Sequence, residues 1–132
     1  MKYLLDTNIC IYIINKRPIS VLKRLSNYEI DDIAISSISI SELEYGINKS
    51  TNPDNSRIAL IEFLLPFKLI DYDSKAAKEY GIIRSDLEKI GQPIGAMDYL
   101  LAAQAISLDL ILVSNNLKEF SKVKKLIIEN WV

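Results

Sequence analysis

Short apolar runs broken by small polar clusters set the plan of this chain. Lys2–Leu5 reads as a strand that stops abruptly at Asp6, followed by the polar pair Thr7-Asn8. Apolar residues then resume and predict a helix from about Asn8 to Asn15. Pro18 suits the first position of the next helix, and Ile19, Leu22 and Leu25 carry its stripe to about Asn27. Asp31-Asp32 marks a turn, and Ile33–Ser36 reads as a second, β-branched strand. Ser37–Ser41 is a hinge into a third helix, with Ile40, Leu43 and Ile47 at helical spacing. Gly46 weakens that helix, and Asn52-Pro53-Asp54-Asn55 reads as the end of the region.

The second half repeats the alternation. Arg57–Leu65 is helical until Pro66, and Phe67–Ile70 reads as a third strand. Asp73 or Ser74 caps a long helix that keeps Ala76, Tyr80, Ile83, Leu87 and Ile90 on one face. Gly91–Gly95 is a loop. Ala96–Leu108 is apolar nearly all round, which predicts a helix buried in the middle of the domain. Leu110–Val113 is the clearest strand and ends in Ser114-Asn115-Asn116. A turn of helix over Leu117–Phe120 and a last strand over Lys125–Ile128 complete the chain. Strands alternating with helices predict an α/β fold with about five short parallel strands and right-handed crossovers. The continuously apolar runs predict strands covered on both faces. With no repeat or linker, residues 1–132 read as one domain.

Composition narrows the chemistry. The chain is 49% hydrophobic and 25% charged, enough for a packed core. A net charge of -1 argues against gripping nucleic acid by bulk positive charge alone. Local cations such as Lys16, Arg17, Lys49, Arg84 and Lys118 remain available to phosphates. The single cysteine, Cys10, has apolar neighbours and reads as a packed thiol. No stretch resembles a signal peptide or a membrane span, so the expected location is the cytoplasm, with no membrane contact. There is no histidine. That removes the commonest general base and the usual zinc ligand, so a metal held here would be held by oxygen: Mg²⁺, Mn²⁺ or Ca²⁺.

Four acids stand beside apolar runs. In an open parallel sheet, ligands bind outside the carboxyl ends of the strands, where Asp6 would sit. Glu42 lies in the first turn of the third helix, Asp98 interrupts the buried helix, and Glu119 follows the last polar cluster. Each has a structural alternative. Asp6 is a good helix cap. Glu42 stands three residues after Ser39, the spacing of a capping box. Asp98 favours a helix N-terminus, and Glu119 beside Lys118 and Lys122 reads as a solvated surface acid. Taken together, four unpartnered carboxylates would repel one another unless a divalent cation met them. Such a cation activates water for phosphodiester hydrolysis without a histidine.

The motifs around these acids are specific as a set. Tyr3-Leu4-Leu5-Asp6-Thr7-Asn8, Ile38–Gly46, Pro93–Ala103, Leu112–Phe120 and Ile127–Trp131 occur in order along the chain. In these the chain resembles the PIN-domain ribonucleases, and among them the VapC-type toxins of bacterial toxin–antitoxin pairs. The resemblance implies a three-layer PIN-like fold and an acidic groove holding Mg²⁺ or Mn²⁺. It implies RNA cleavage, often of tRNA, that arrests translation. Asp6, Glu42 and Asp98 match the family's acidic triad and are the implied metal ligands. Many members carry an aspartate where this chain has Asn116, and Glu119 stands in for it here, directly or through water. One metal or two would both fit. Thr7, Asn8, Ser114 and Asn115, with Asn116, match the small polar positions that orient the acids or their waters. The resemblance further implies a VapB-type antitoxin, a homodimer within a toxin–antitoxin hetero-oligomer, and operator DNA bound only through the antitoxin.

Two other readings compete. A catalytically silent PIN module would bind protein or RNA without cutting it, and the complete triad argues against that. A phosphatase on a similar sheet would use an aspartyl nucleophile at Asp6 and a second aspartate two residues later, where Asn8 stands.

Overall fold

In the computed structural model, which describes residues 1–132, five parallel strands form one sheet. In chain order the elements are β1 (Tyr3–Leu5), α1 (Thr7–Asn15), α2 (Ile19–Ser26), β2 (Ile33–Ser36), α3 (Ser37–Lys49) and α4 (Pro53–Leu64). They continue with β3 (Lys68–Ile70), α5 (Ser74–Lys89), α6 (Ala96–Ser107), β4 (Ile111–Val113), α7 (Leu117–Phe120) and β5 (Ile128–Glu129). The strand order is β3-β2-β1-β4-β5. β1 is therefore central, with Leu5 opposite Ile35 on one side and Val113 on the other. The chain builds outward from β1 through β2 to β3, then crosses back to β4. The crevice where the order reverses lies at the carboxyl end of β1.

Alternation along the strands divides the core in two. Leu4, Ala34 and Leu112 face α5 and α6, packing with Ile83, Leu87, Tyr99, Ala102 and Phe120. Tyr3, Leu5, Ile33, Ile35 and Val113 face the opposite way, onto Ile9, Val21, Leu43, Ile47 and Leu60 from α1 to α4. Two layers of helix thus enclose the sheet, as expected. The α6 helix is buried along Leu101–Ala105, and the Cys10 thiol is fully enclosed.

Four details depart from the sequence reading. β3 is an edge strand with Lys68 and Leu69 exposed, so burial on both faces holds only for β1, β2 and most of β4. Asn52-Pro53 begins α4 rather than ending a region: the Asn52 side chain caps Asn55 N–H, and Pro53 occupies the first turn, where its missing N–H costs nothing. The last strand is Ile128–Glu129, because residues 121–125 form turns with Lys124 and Lys125 exposed while Val123 and Leu126 insert into the core. And α3 begins at Ser37, capped by Ser36, so Glu42 is a turn further along than a capping box would put it.

The C-terminus is tied down by its last aromatic. Trp131 is buried, stacked on Tyr28 with ring centres 5.2 Å apart and edge-on to Tyr3. Its indole N–H donates to Glu129 Oε1 at 2.9 Å, and the Tyr28 hydroxyl donates to the same oxygen at 3.0 Å. Arg24 pairs with it as well. These donors and the guanidinium hold the Glu129 carboxyl below its ordinary range, although burial pushes it up.

Candidate active site

The carboxyl ends of β1, β2 and β4 end in Asp6, Ser36 and Ser114, and the acidic side chains gather there. Asp6 is 5% exposed. Its backbone N–H bonds Val113 O at 3.0 Å, continuing the sheet by one residue. Its side chain caps α1 through Ile9 N–H at 3.2 Å, and Ser114 Oγ donates to its other oxygen. The capping and catalytic readings of Asp6 are therefore compatible, since one oxygen serves the helix. Burial raises the Asp6 pKa. Ser114 and the backbone N–H groups of Ile9 and Asn8 pull it down, and the Glu42 charge pushes it up again.

Glu42 is held by Thr7, whose Oγ1 lies 2.6 Å from Glu42 Oε1. Thr7 Oγ1 is also 3.2 Å from Ser39 Oγ. One hydroxyl carries one proton. The shorter contact, to a carboxylate, takes it, which leaves Ser39 Oγ in contact behind Thr7. Ser39 is fully buried. The sequence reading made Ser39 a helix cap; the structure makes it the inner end of a relay that orients Glu42.

Asp98 stands in the first turn of α6, after Gly95 at the cap position. Asn116 Nδ2 donates to Asp98 Oδ2 at 3.5 Å. A Cβ on Gly95 would lie 3.4 Å from that same oxygen, in ordinary van der Waals contact. Burial pushes the Asp98 carboxyl up to about 6, with the charges of Asp6, Glu119 and Glu42 adding to the rise. Glu119, on α7, is partly buried and pairs with Lys122 at 3.5 Å. It is thus both a surface ion-pair partner, as its neighbours predicted, and near enough to act on Asp98.

The polar positions divide. Ser114 and Asn116 reach Asp6 and Asp98, and Asn116 N–H bonds Ser114 Oγ at 2.9 Å. Asn8 is exposed and acts on Asp6 through its backbone N–H. Asn115 turns away and donates to the Tyr12 hydroxyl at 2.9 Å, locking the β4–α7 turn to α1. Tyr12 was not singled out in the sequence, where it is one apolar-looking residue in an apolar helix. Gln104 left a signal that went unread. It is the one polar residue within Leu101–Ala105, is 1% exposed, hydrogen-bonds Ser36 and donates to Asp71 O at 3.1 Å. It fastens α6, which carries Asp98, to the end of β2, where α3 begins.

The donors are all oxygen. No lysine or arginine pairs with Asp6, Glu42 or Asp98. Three mutually repelling carboxylates without a counter-charge, with Glu119 and its Lys122 partner beside them, suit a hard divalent cation, which takes oxygen ligands. As the side chains stand, no three of the acids are close enough to share one ion, so holding it requires side-chain movement.

Residues 3–126 match the profile of the PIN domain family. A ribonuclease VapC2 from Haemophilus influenzae is 45% identical over 132 residues, spanning 100% of this chain and 99% of that protein. A tRNA(fMet)-specific endonuclease VapC from Shigella flexneri is 40% identical over 131 residues, spanning 99% of this chain and 98% of that one. The structure superposes with a TM-score of 0.92 on VapBC2 from Rickettsia felis, solved bound to a DNA fragment from its promoter, at 42% identity and full coverage of both chains.

Proposed function

Because the chain belongs to the PIN-domain family, on its VapC branch, we propose that it is a metal-dependent endoribonuclease, the toxin of a type II toxin–antitoxin pair. The observation that carries the catalytic part is that Asp6 at the end of β1, Glu42 on α3 and Asp98 at the start of α6 have no basic partner, while Asp98, raised first by burial, also feels the charges of Asp6, Glu119 and Glu42. The four acids come from separate elements that are brought into one neighbourhood only in the folded chain.

Asp6, Glu42 and Asp98 would hold the ion, Mg²⁺ or Mn²⁺, with Glu119 completing the shell directly or through water. A divalent cation there would supply positive charge that activates water and offsets charge on a phosphodiester. The protein's own part is positioning. Ser114 and the start of α1 keep Asp6 fixed, Thr7 and Ser39 orient Glu42, and Asn116 steadies Asp98. With no histidine in the chain, proton removal rests on these carboxylates and their waters. Residues 1–132 act as one PIN domain in this reading. The substrate is RNA, with tRNA the leading candidate because the Shigella flexneri relative is named for it. The partner is a VapB-type antitoxin, supported by the likeness to VapBC2, and operator DNA is reached through that antitoxin. The chain is expected to pair with itself inside that assembly and to work in the cytoplasm; no helix is long and apolar enough to cross a membrane.

The test is incubation of purified protein with total bacterial RNA, with Mg²⁺ or with excess EDTA, beside Asp6→Asn. Discrete fragments that require both the metal and Asp6 are expected. Intact RNA from folded, antitoxin-free protein under every condition would sink the ribonuclease reading and favour the silent module.

A further inference from the structure

Of the five cations that the sequence offered to RNA, three are engaged in separate places. Arg84 is committed to Glu88 at 3.2 Å and to the Tyr80 hydroxyl at 2.7 Å, and Lys49 lies over the Tyr45 ring. Lys16 lines an apolar groove between α1, α2 and α4. A different set does gather. The second half of α5 and the turn between α7 and β5 form the walls of a groove of about 410 Å³. Lys89, Lys122, Lys124 and Lys125 line it, against Asp86 and Glu79. Four lysines against two acids make a local balance of 4 − 2 = +2, in a chain whose net charge is -1. Lys89, Lys124 and Lys125 are exposed and have no carboxylate partner. The floor is aliphatic, from Ile83, Leu87 and Val123.

The groove begins at the catalytic wall. Lys122, one of its lining residues, pairs with Glu119, and Glu119 is one of the charges that raise Asp98. We propose that this lysine-lined groove is the track along which the RNA backbone leaves the acidic centre, with Lys89, Lys124 and Lys125 meeting successive phosphates. The proposal rests on the ribonuclease reading and adds the surface that holds the substrate. It answers an electrostatic difficulty: four carboxylates repel a polyanion, and cations beside them must offset that repulsion. The wall chemistry also sets what is read. No aromatic ring lines the groove, so bases have nothing to stack on. Lysines provide point charges for phosphates rather than a fork for base edges. The groove therefore supplies affinity without sequence preference, and selectivity resides elsewhere.

The test compares Lys89→Gln/Lys124→Gln/Lys125→Gln with a control carrying Lys2→Gln, Lys23→Gln and Lys68→Gln, three lysines that do not line the groove. Binding of bulk bacterial tRNA is measured through a salt series in an Asp98→Asn background, which prevents cleavage, and KM and kcat are measured in the cleaving protein. Each lost phosphate contact lowers the slope of log K against log salt by about 0.7 on single strands and about 0.9 on duplex, so on tRNA the groove triple should lose about 2–3. KM should rise about tenfold with kcat unchanged, while the control changes little. Unchanged slope and KM in the groove triple would overturn the proposal, as would an equal loss in the control, which would mean diffuse charge alone. Unchanged RNA binding with weakened capture of the antitoxin would also overturn it and give the groove to a protein partner. If the parent protein cuts RNA while the groove triple behaves like it, only the track is lost; if the parent cuts none, the enzymatic reading itself has failed.

Discussion

Thr7 Oγ1 stands 2.6 Å from Glu42 Oε1, so the first residue of α1 fixes a carboxylate on α3. The two lie 35 residues apart in the chain. The contact ties the acid that follows β1 to the acid beyond β2, because Thr7 directly follows Asp6. Thr7→Val keeps the shape and removes the hydroxyl. Loss of a side chain that orients a metal ligand typically costs about 10–100-fold in metal affinity or activity. The expected outcome is a drop in RNA cleavage within that range and a weaker Mn²⁺ titration, with an unchanged melting curve. Ser39→Ala should follow in the same direction with a smaller loss. Cleavage at the parental rate in Thr7→Val would detach the relay from function.

Asp98 gives the protein a pH signature. Its pKa rises from the ordinary 3.8 to about 6 in the folded chain, so between those values the folded state holds the proton and the unfolded state does not. Stability of the metal-free protein therefore falls as pH rises through this window, and the full penalty persists above it. Melting temperatures in EDTA should be higher near pH 5 than near pH 7.5, to the extent that this group governs them. Asp98→Asn should flatten that difference. A parental slope in the variant would assign it to other groups.

Metal binding should show the opposite trend. Ligands must shed their protons to coordinate, so affinity falls as the medium is acidified below about 6. Mn²⁺ titrations followed by calorimetry at several pH values would read this directly, and Asp6→Asn should weaken binding throughout. Equal affinity on both sides of that pH would exclude Asp98 from the ligand set.

At the C-terminus, Trp131 is 1% exposed and closes the aromatic cluster with Tyr3 and Tyr28. Trp131→Ala should cost about 3–5 kcal/mol, the range for removing a buried large aromatic. Urea unfolding gives the value. A loss under about 1 kcal/mol would mean that the tail packs only loosely on the sheet.

Much of this architecture could be read directly because period and punctuation agree. Asp6, Asp73 and Pro18 each stand at a helix start and cap or open it as such residues do. The buried α6 announced itself by being apolar on every side. What escaped the eye depended on distance in the chain. Ser39 looked like a local cap because its partner Thr7 is 32 residues away. Gln104 was a lone polar residue whose acceptor, Asp71 O, lies on another connection. The exposure of β3 followed from strand order, which hydropathy does not encode. Lys89 and Lys125 form one surface only because α5 passes beside the turn that follows α7. The acids were legible singly, and their convergence came from the motifs rather than from spacing.

Asp6 and Ser114 share a hydrogen bond across 108 positions of sequence. The middle strand of the sheet, β1, is made well before β4, the neighbouring strand that leads to Ser114. A partly made chain already carries Asp6 and Glu42 but lacks Ser114, Asn116, Glu119 and the closing Trp131. The complete centre exists only once β1 and the β4–α7 segment have both been made and have met.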